Sequence, residues 1–453
     1  MSQTLSHSAP DDTGEVRRFA HIMPLAFVNY ALAYLDRVNY GSAQSAMSAS
    51  LHLSDSMGPI ILSSFFAGYC LLQIPSAIFA ARRQKVKWFI FWALLLWGCL
   101  SAMTGIIRTV PLLIADRVAL GAVEGIVLPV MLIYLTKWFT RPERSRSNAM
   151  LMLANPVTMT VASALCGWLI QHFNNHRFGP YAGWQMMFIV EGLPSIVWAF
   201  IWLWLADETP AEAKWLSPRE ATAVRVVLDK EQRTIPNVRN FWTAFADPRV
   251  LKIAGMFMCL NSASYGLSMW LPTIVAQVSN KQPAVAGYLT ALPYFIAVFT
   301  SLGVAWLSDR SLRRKRYVVG SMFIGSAAYI VAYLAGPQNF ALAFLGLIVA
   351  GSCLYTPTAP NWAWMAEILP RNVVGESMAL VNTFGAMGGF LGSMIVGLLK
   401  NHYHSNGPAF AYLAGSFLVA GLLGSLVGDV PTAPRAEPRG FEVVIAAAKN
   451  ITL

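Results

Sequence analysis

Twelve apolar runs divide this chain, each close to or above the roughly 20 residues that a helix needs to cross a bilayer. They fall at about 20–43, 57–80, 88–108, 112–138, 147–171 and 182–205, and then at about 250–276, 285–308, 316–336, 339–361, 372–400 and 408–430. Lipid offers no hydrogen bonds to a peptide group, so a spanning segment of this length satisfies its backbone by coiling into a helix. Hydrophobic residues make up 56% of the chain and charged residues 12%, against about 25% charged in ordinary soluble domains. The pattern predicts an all-α polytopic membrane protein with 12 transmembrane helices. Met1 to Glu15 is polar and lacks an apolar h-region, so no cleaved signal peptide is expected and the first span serves as the insertion signal.

Charge placement predicts the orientation. Of 33 Lys and Arg, 27 fall on the side that holds the N-terminus. Four, Arg108, Arg177, Lys281 and Lys400, fall on the other, while Arg37 and Arg117 lie within spans. Positive residues favour the cytoplasm, which puts both termini inside and the protein in the inner (plasma) membrane. The net charge of +11 is accounted for by these loops, so no nucleic-acid partner is expected. The layout is a short N-terminus (1–19), a six-helix bundle (20–205), a central cytoplasmic loop (206–248), a second six-helix bundle (249–430) and a tail (431–453), expected as a monomer in the lipid bilayer. Within the central loop, Ser217-Pro218-Arg219-Glu220 reads as a capping box opening a helix to about Gln232. Phe441 to Ala448 in the tail has the makings of a short helix. The five cysteines lie in apolar spans without metal-ligand spacing, and no GxxxxGK[ST] loop exists to bind ATP. No metal and no cofactor is expected.

Ionisable groups inside spans are costly and mark function by default. The first span contains Asp36-Arg37, and the fourth contains Asp116-Arg117 and Glu124. Arg117 and Glu124 are seven residues apart, nearly two turns, which puts them on one helix face about 10 Å apart along it. The expectation is a cation and a carboxylate at two depths of one cavity wall, with Arg117 as the partner of Glu124 and Asp36 reaching the same cavity. A guanidinium grips a carboxylate through two parallel hydrogen bonds, so Arg37 and Arg117 signal an organic anion. Asp36 and Glu124 would neutralise the arginines when ionised and release them when protonated, which couples anion and proton. Tyr69, Asn155, Tyr265, Tyr355 and Asn382 are polar groups in other spans able to complete a binding site.

Several motifs resemble the anion:cation symporter family of the major facilitator superfamily. They are Asp36-Arg37-Val38-Asn39-Tyr40-Gly41, Gly121-Ala122-Val123-Glu124, Pro142-Glu143-Arg144-Ser145-Arg146, Gly183-Trp184-Gln185, Glu191-Gly192-Leu193-Pro194 and Lys214-Trp215-Leu216-Ser217. Ser308-Asp309-Arg310, with Arg313 and Arg314, resembles the superfamily's gating loop, whereas the matching Ala81-Arg82-Arg83-Gln84-Lys85 lacks its acid. Ile22-Met23-Pro24, Phe139-Thr140-Arg141 and Asn155-Pro156-Val157-Thr158 bring it nearest to sugar-acid permeases of the L-galactonate type. The resemblance implies two pseudo-symmetric six-helix bundles and proton-coupled import of an organic anion by alternating access. It implies substrate contacts from Arg37, Tyr69, Asn155 and Asn382, proton carriage by Asp36 and Glu124, and charge balance by Arg117. Alternatives are a carrier of aromatic or other small carboxylates, favoured if aromatics such as Trp364 and Tyr265 line the site, and a membrane sensor of transporter-like fold. No span combines a nucleophile, a base and a metal cluster, which argues against an enzyme.

Overall fold

The structure, a computed structural model, describes residues 13–54, 56–82, 85–176, 179–233, 247–279, 282–336, 338–368 and 374–428. The tail and residues 234–246 of the central loop lie outside the described residues. The first half consists of α1 (Glu15–Ser50), α2 (Met57–Arg82), α3 (Val86–Thr104), α4 (Val110–Gly125), α5 (Val127–Thr136), α6 (Arg141–Asn175) and α7 (Gly183–Leu205). After α8 (Pro218–Arg233) come α9 (Pro248–Ser279), α10 (Pro283–Ser311), α11 (Arg314–Ala335), α12 (Phe340–Tyr355), α13 (Thr358–Ile368), α14 (Val374–Tyr403) and α15 (Gly407–Ser425). Ten stretches among the described residues are long and apolar enough to cross a membrane, with α4 and α5 counted as one and α12 and α13 as another. The apolar stretch Met57–Gln73 of α2 and the 36-residue but more polar α1 complete the twelve. Most helices extend past their apolar runs, because hydropathy marks only the lipid-facing middle.

The start of α1 meets the start of α6 through the Arg146–Glu15 pair at 2.8 Å and the Arg18–Glu143 pair at 2.7 Å. Its end meets the start of α7, where Trp184 Nε1 donates to Ser50 Oγ at 3.0 Å. These contacts define a near end, holding Glu15, and a far end, holding Ser50. In the first half α1 pairs with α6, α2 with α4, and α3 with α7. In the second half α9 pairs with α14, α10 with α12, and α11 with α15, the same scheme one half later. The α2–α4 seam is tight because Gly121 lies against the carbonyl of Phe65, where any Cβ would collide. α8 opens with the expected box: Ser217 N and Oγ both donate to Glu220, at 2.9 and 2.7 Å. Those two donors, first the backbone amide and then the hydroxyl, hold the Glu220 carboxyl below the usual carboxylate range.

The loop between α10 and α11 carries its own ion pairs. Asp309 pairs with Arg314 at 3.6 Å, and Arg314 also holds Glu367 of α13 at 2.9 Å. Arg313 is exposed at the start of α11, and Arg310 lies over the Trp306 ring. In the first half, the carboxylate missing from the 81–85 loop comes from Glu208, just after α7. Glu208 caps α3 by accepting from the amides of Val86 and Lys87, both at 2.8 Å, and pairs with Lys137 at 2.5 Å.

Candidate functional site

A cavity lies between the two halves, midway along the helices. All six residues expected at the substrate line it: Arg37 and Tyr69 from the first half with Asn155, and Tyr265, Tyr355 and Asn382 from the second. Both fourth spans are interrupted at this level. The first breaks at Ile126 between α4 and α5, and the second at Thr356 and Pro357, where proline withholds the backbone donor that would continue α12. Such interruptions free polar groups only where they face a cavity.

Arg37 is the only cation among the described lining residues. Its Nε donates to Glu124 Oε1 at 2.5 Å and its Nη1 to the Tyr265 hydroxyl at 2.8 Å. The guanidinium lies over the Tyr34 ring at 4.4 Å and the Tyr69 ring at 5.1 Å. One side chain of α1 is thus tied to a carboxylate of its own half and a phenol of the other. Glu124 is buried behind it and does not line the cavity; its second oxygen has no hydrogen-bond partner.

Three expectations are corrected. Arg117 is not the partner of Glu124. It donates to Thr104 Oγ1 at 3.2 Å and lies between the Tyr40 and Phe188 rings, at 4.8 and 5.1 Å. The same hydroxyl donates to Asp116 at 2.6 Å, so Arg117 and Asp116 are joined through Thr104. Asp36 does not line the cavity either. It turns towards α3 and accepts from Ser101 Oγ at 2.5 Å, from Trp97 Nε1, and from Asn39 Nδ2 at 2.9 Å. The shared wall of Arg117 and Glu124 is therefore absent: neither group lines the cavity, because α4 presents that face to α1, α2 and α3.

Two features were not anticipated. Asn361, in α13, is fully buried, lines the cavity, and has neither amide atom paired; Asn155 Oδ1 is likewise unpaired. The signal was Thr358-Ala359-Pro360-Asn361, a polar residue beside helix-breaking prolines within an apolar run. Trp362, one residue on, lines the cavity, whereas Trp364 is buried elsewhere. Glu191, in α7, is 1% exposed and off the cavity, and a carboxylate inside an apolar run was visible in the sequence.

Beyond Arg37, towards the far end, the halves are bonded together. Thr273 Oγ1 donates to the Gly41 carbonyl at 3.0 Å, Gln171 bonds Gln282 at 2.5 Å, and Ala284 N donates to Gln171 at 3.1 Å. Gly41 has no room for a Cβ, which would meet the Met269 carbonyl. No cluster of metal-binding side chains occurs among the described residues.

A twelve-helix bundle whose halves enclose a polar, arginine-bearing cavity at mid-depth defines a membrane carrier. The chain belongs to the Major Facilitator Superfamily, whose sequence profile matches residues 26–393. It is therefore a multi-pass membrane transporter, and the family is one of carriers, not enzymes. It is 26% identical to an Agrobacterium vitis protein provisionally named a tartrate transporter, over 93% of this chain and 91% of that one. It is 28% identical to a quinolone resistance transporter of Acinetobacter baumannii (89% and 92%) and 27% identical to the inner membrane transport protein RhmT of Escherichia coli K12 (89% and 92%). Among solved structures it shares its fold with the xylose transporter XylE of E. coli in an inward-open conformation, at a TM-score of 0.71 and 14% identity, over 95% of this chain and 99% of that one.

Proposed function

We propose that this protein is an anion:cation symporter of the inner membrane that imports a polyhydroxylated monocarboxylate, a sugar acid such as L-galactonate, together with protons. The observation that carries the reading is the single guanidinium in a cavity shared by both halves, with unpaired asparagine amide groups around it. One cation fits one carboxylate. A buried amide left unpaired costs about 1–3 kcal/mol, so Asn155 and Asn361 are groups awaiting hydroxyls. Glu124 is the coupling carboxyl. Protonated, it releases Arg37 to the substrate; ionised, it reclaims Arg37 once the substrate has left. With both termini cytoplasmic, as the charge bias supports, the bonded far end faces outside and this state is the one open to the cytoplasm. Alternating access then requires the Gly41–Thr273 and Gln171–Gln282 bonds to open while the near end closes.

The alternative substrate is an aromatic carboxylate, favoured by the rings of Tyr34, Tyr69, Tyr265, Phe257 and Trp362 on the cavity wall. Thermal stabilisation of the purified protein by a panel of sugar acids, tartrate and aromatic acids decides between them. Uptake into vesicles with an inward proton gradient then tests coupling. Stabilisation by aromatic acids alone overturns the sugar-acid reading, and uptake indifferent to the gradient at clamped potential overturns symport.

A further inference from the structure

The mechanism proposed above gives no part to Glu191. Glu191 lies in the middle of α7 and is 1% exposed. Its Oε1 accepts from Cys166 Sγ of α6 at 3.1 Å, and its Oε2 has no partner. From α1 it is faced by Asp36 and by Asn39, whose amide nitrogen donates to Asp36 Oδ1 at 2.9 Å. Asn39 Oδ1 is also buried and unpaired. From α3 the neighbours are backbone and a methyl group, where Gly98 and Ala102 press on Gly192. The charge on α4 that faces this group is Arg117, which acts on Asp36 and is itself held by Thr104, Tyr40 and Phe188.

Asp36 and Glu191 are thus a pair of carboxyl groups around one asparagine, in a dry site, with no ion-pair bond recorded for either. The two are solvated unequally. Asp36 accepts three hydrogen bonds from neutral donors, enough to hold an anion, whereas Glu191 receives one from a thiol. An uncompensated carboxylate within the membrane is costly, and a like charge nearby adds to that cost.

We infer that Glu191 is a second proton-carrying carboxyl of this transporter, coupled to Asp36 across Asn39 and separate from the Arg37–Glu124 pair. The inference rests on the symport reading. The step is the binding of one proton to a Glu191 oxygen from water on one side of the membrane and its release to water on the other; no other bond changes. Asp36 and Glu191 titrate as a unit, so the pair holds at least one proton until both can be compensated.

The test measures protons taken up per substrate in vesicles carrying the full chain, from the reversal potential of flux of the acid that stabilises the wild type, L-galactonate first. Glu191→Gln should lower the ratio by one proton and make the dependence of uptake on pH shallower. Glu191→Asp, which keeps the acid but shortens its reach, should retain the wild-type ratio with a displaced pH midpoint. An unchanged ratio and slope in Glu191→Gln overturns the inference while leaving symport intact. A wild type that moves no protons overturns the symport reading itself. If Glu191→Gln does not fold, Glu191→Asp with an unmoved midpoint overturns the inference. A second reading is the infrared band of protonated carboxyl at neutral pH. It should weaken in Glu191→Gln relative to wild type, and an identical band overturns the assignment.

Discussion

Replacing Arg37 by lysine keeps the charge and removes the fork, and the structure says what that is worth. The guanidinium reaches Glu124 through Nε and Tyr265 through Nη1 at the same time, while its plane lies over Tyr34 and Tyr69. An ammonium on a shorter, rounder head reaches one of the two and loses the planar contact. A carboxylate held by two charge-assisted bonds would be held by one. One such bond is worth about 1.5–3 kcal/mol, which at about 1.4 kcal/mol per decade weakens binding roughly 10- to 150-fold. The fold should survive, because Glu124 keeps a cation beside it. Arg37→Gln should not be so mild, since stranding Glu124 is expected to cost about 3–5 kcal/mol. Titration of the best sugar acid by calorimetry gives Kd, and thermal unfolding of the unliganded variant separates affinity from stability. A lysine variant whose Kd stays within about threefold of wild type refutes the reasoning, since a threefold change is well under 1.4 kcal/mol. Arg37 would then be a bridge between halves and not a substrate ligand.

Four further outcomes follow from the same geometry. Glu124→Gln mimics the protonated acid, so it should bind and exchange substrate in counterflow yet fail to accumulate it against a gradient; loss of both activities would make Glu124 a structural partner of Arg37. Acidifying the outside at clamped potential should raise initial uptake by wild type and raise it less steeply in Glu124→Gln, measured as flux against pH. Asn361→Leu should weaken a sugar acid about 5- to 150-fold, the equivalent of about 1–3 kcal/mol for unpaired hydroxyls, and leave an aromatic acid little changed in the same thermal-shift titration. Arg18→Ala should destabilise the protein by about 1.5–3 kcal/mol, read by denaturation in detergent, because it removes the buried guanidinium that holds the half-buried Glu143 at the start of α6.

The sequence by itself determined the number and position of the spans. Hydropathy and charge bias are sums over neighbours in the chain, and lipid enforces helices wherever the run is long enough. It also marked the six polar residues expected at the substrate, all of which line the cavity, since a tyrosine, asparagine or arginine in an apolar run is visible without knowing what it faces. Local chemistry carried the α8 box too, because Ser217 and Glu220 are three residues apart and meet within one turn. Partnership was decided by the tertiary structure. Arg37 and Glu124 are 87 positions apart, and which cation Glu124 meets depends on which helix α4 turns that face towards; Arg117, about 10 Å along the same helix, stays out of reach whatever the rotation. That rotation is set by packing such as Gly121 on the Phe65 carbonyl. The same cause sent Asp36 towards Trp97 and Ser101 of α3 and away from the cavity that its neighbour Arg37 enters: adjacent residues on a helix point about 100° apart, since a turn takes 3.6 residues. The Arg314 pairs with Asp309 and Glu367, and Glu208 in place of the missing loop acid, have this origin as well. An ion pair is fixed by distance in space, and a membrane helix can turn its polar residues towards several neighbours without changing a single hydropathy sum.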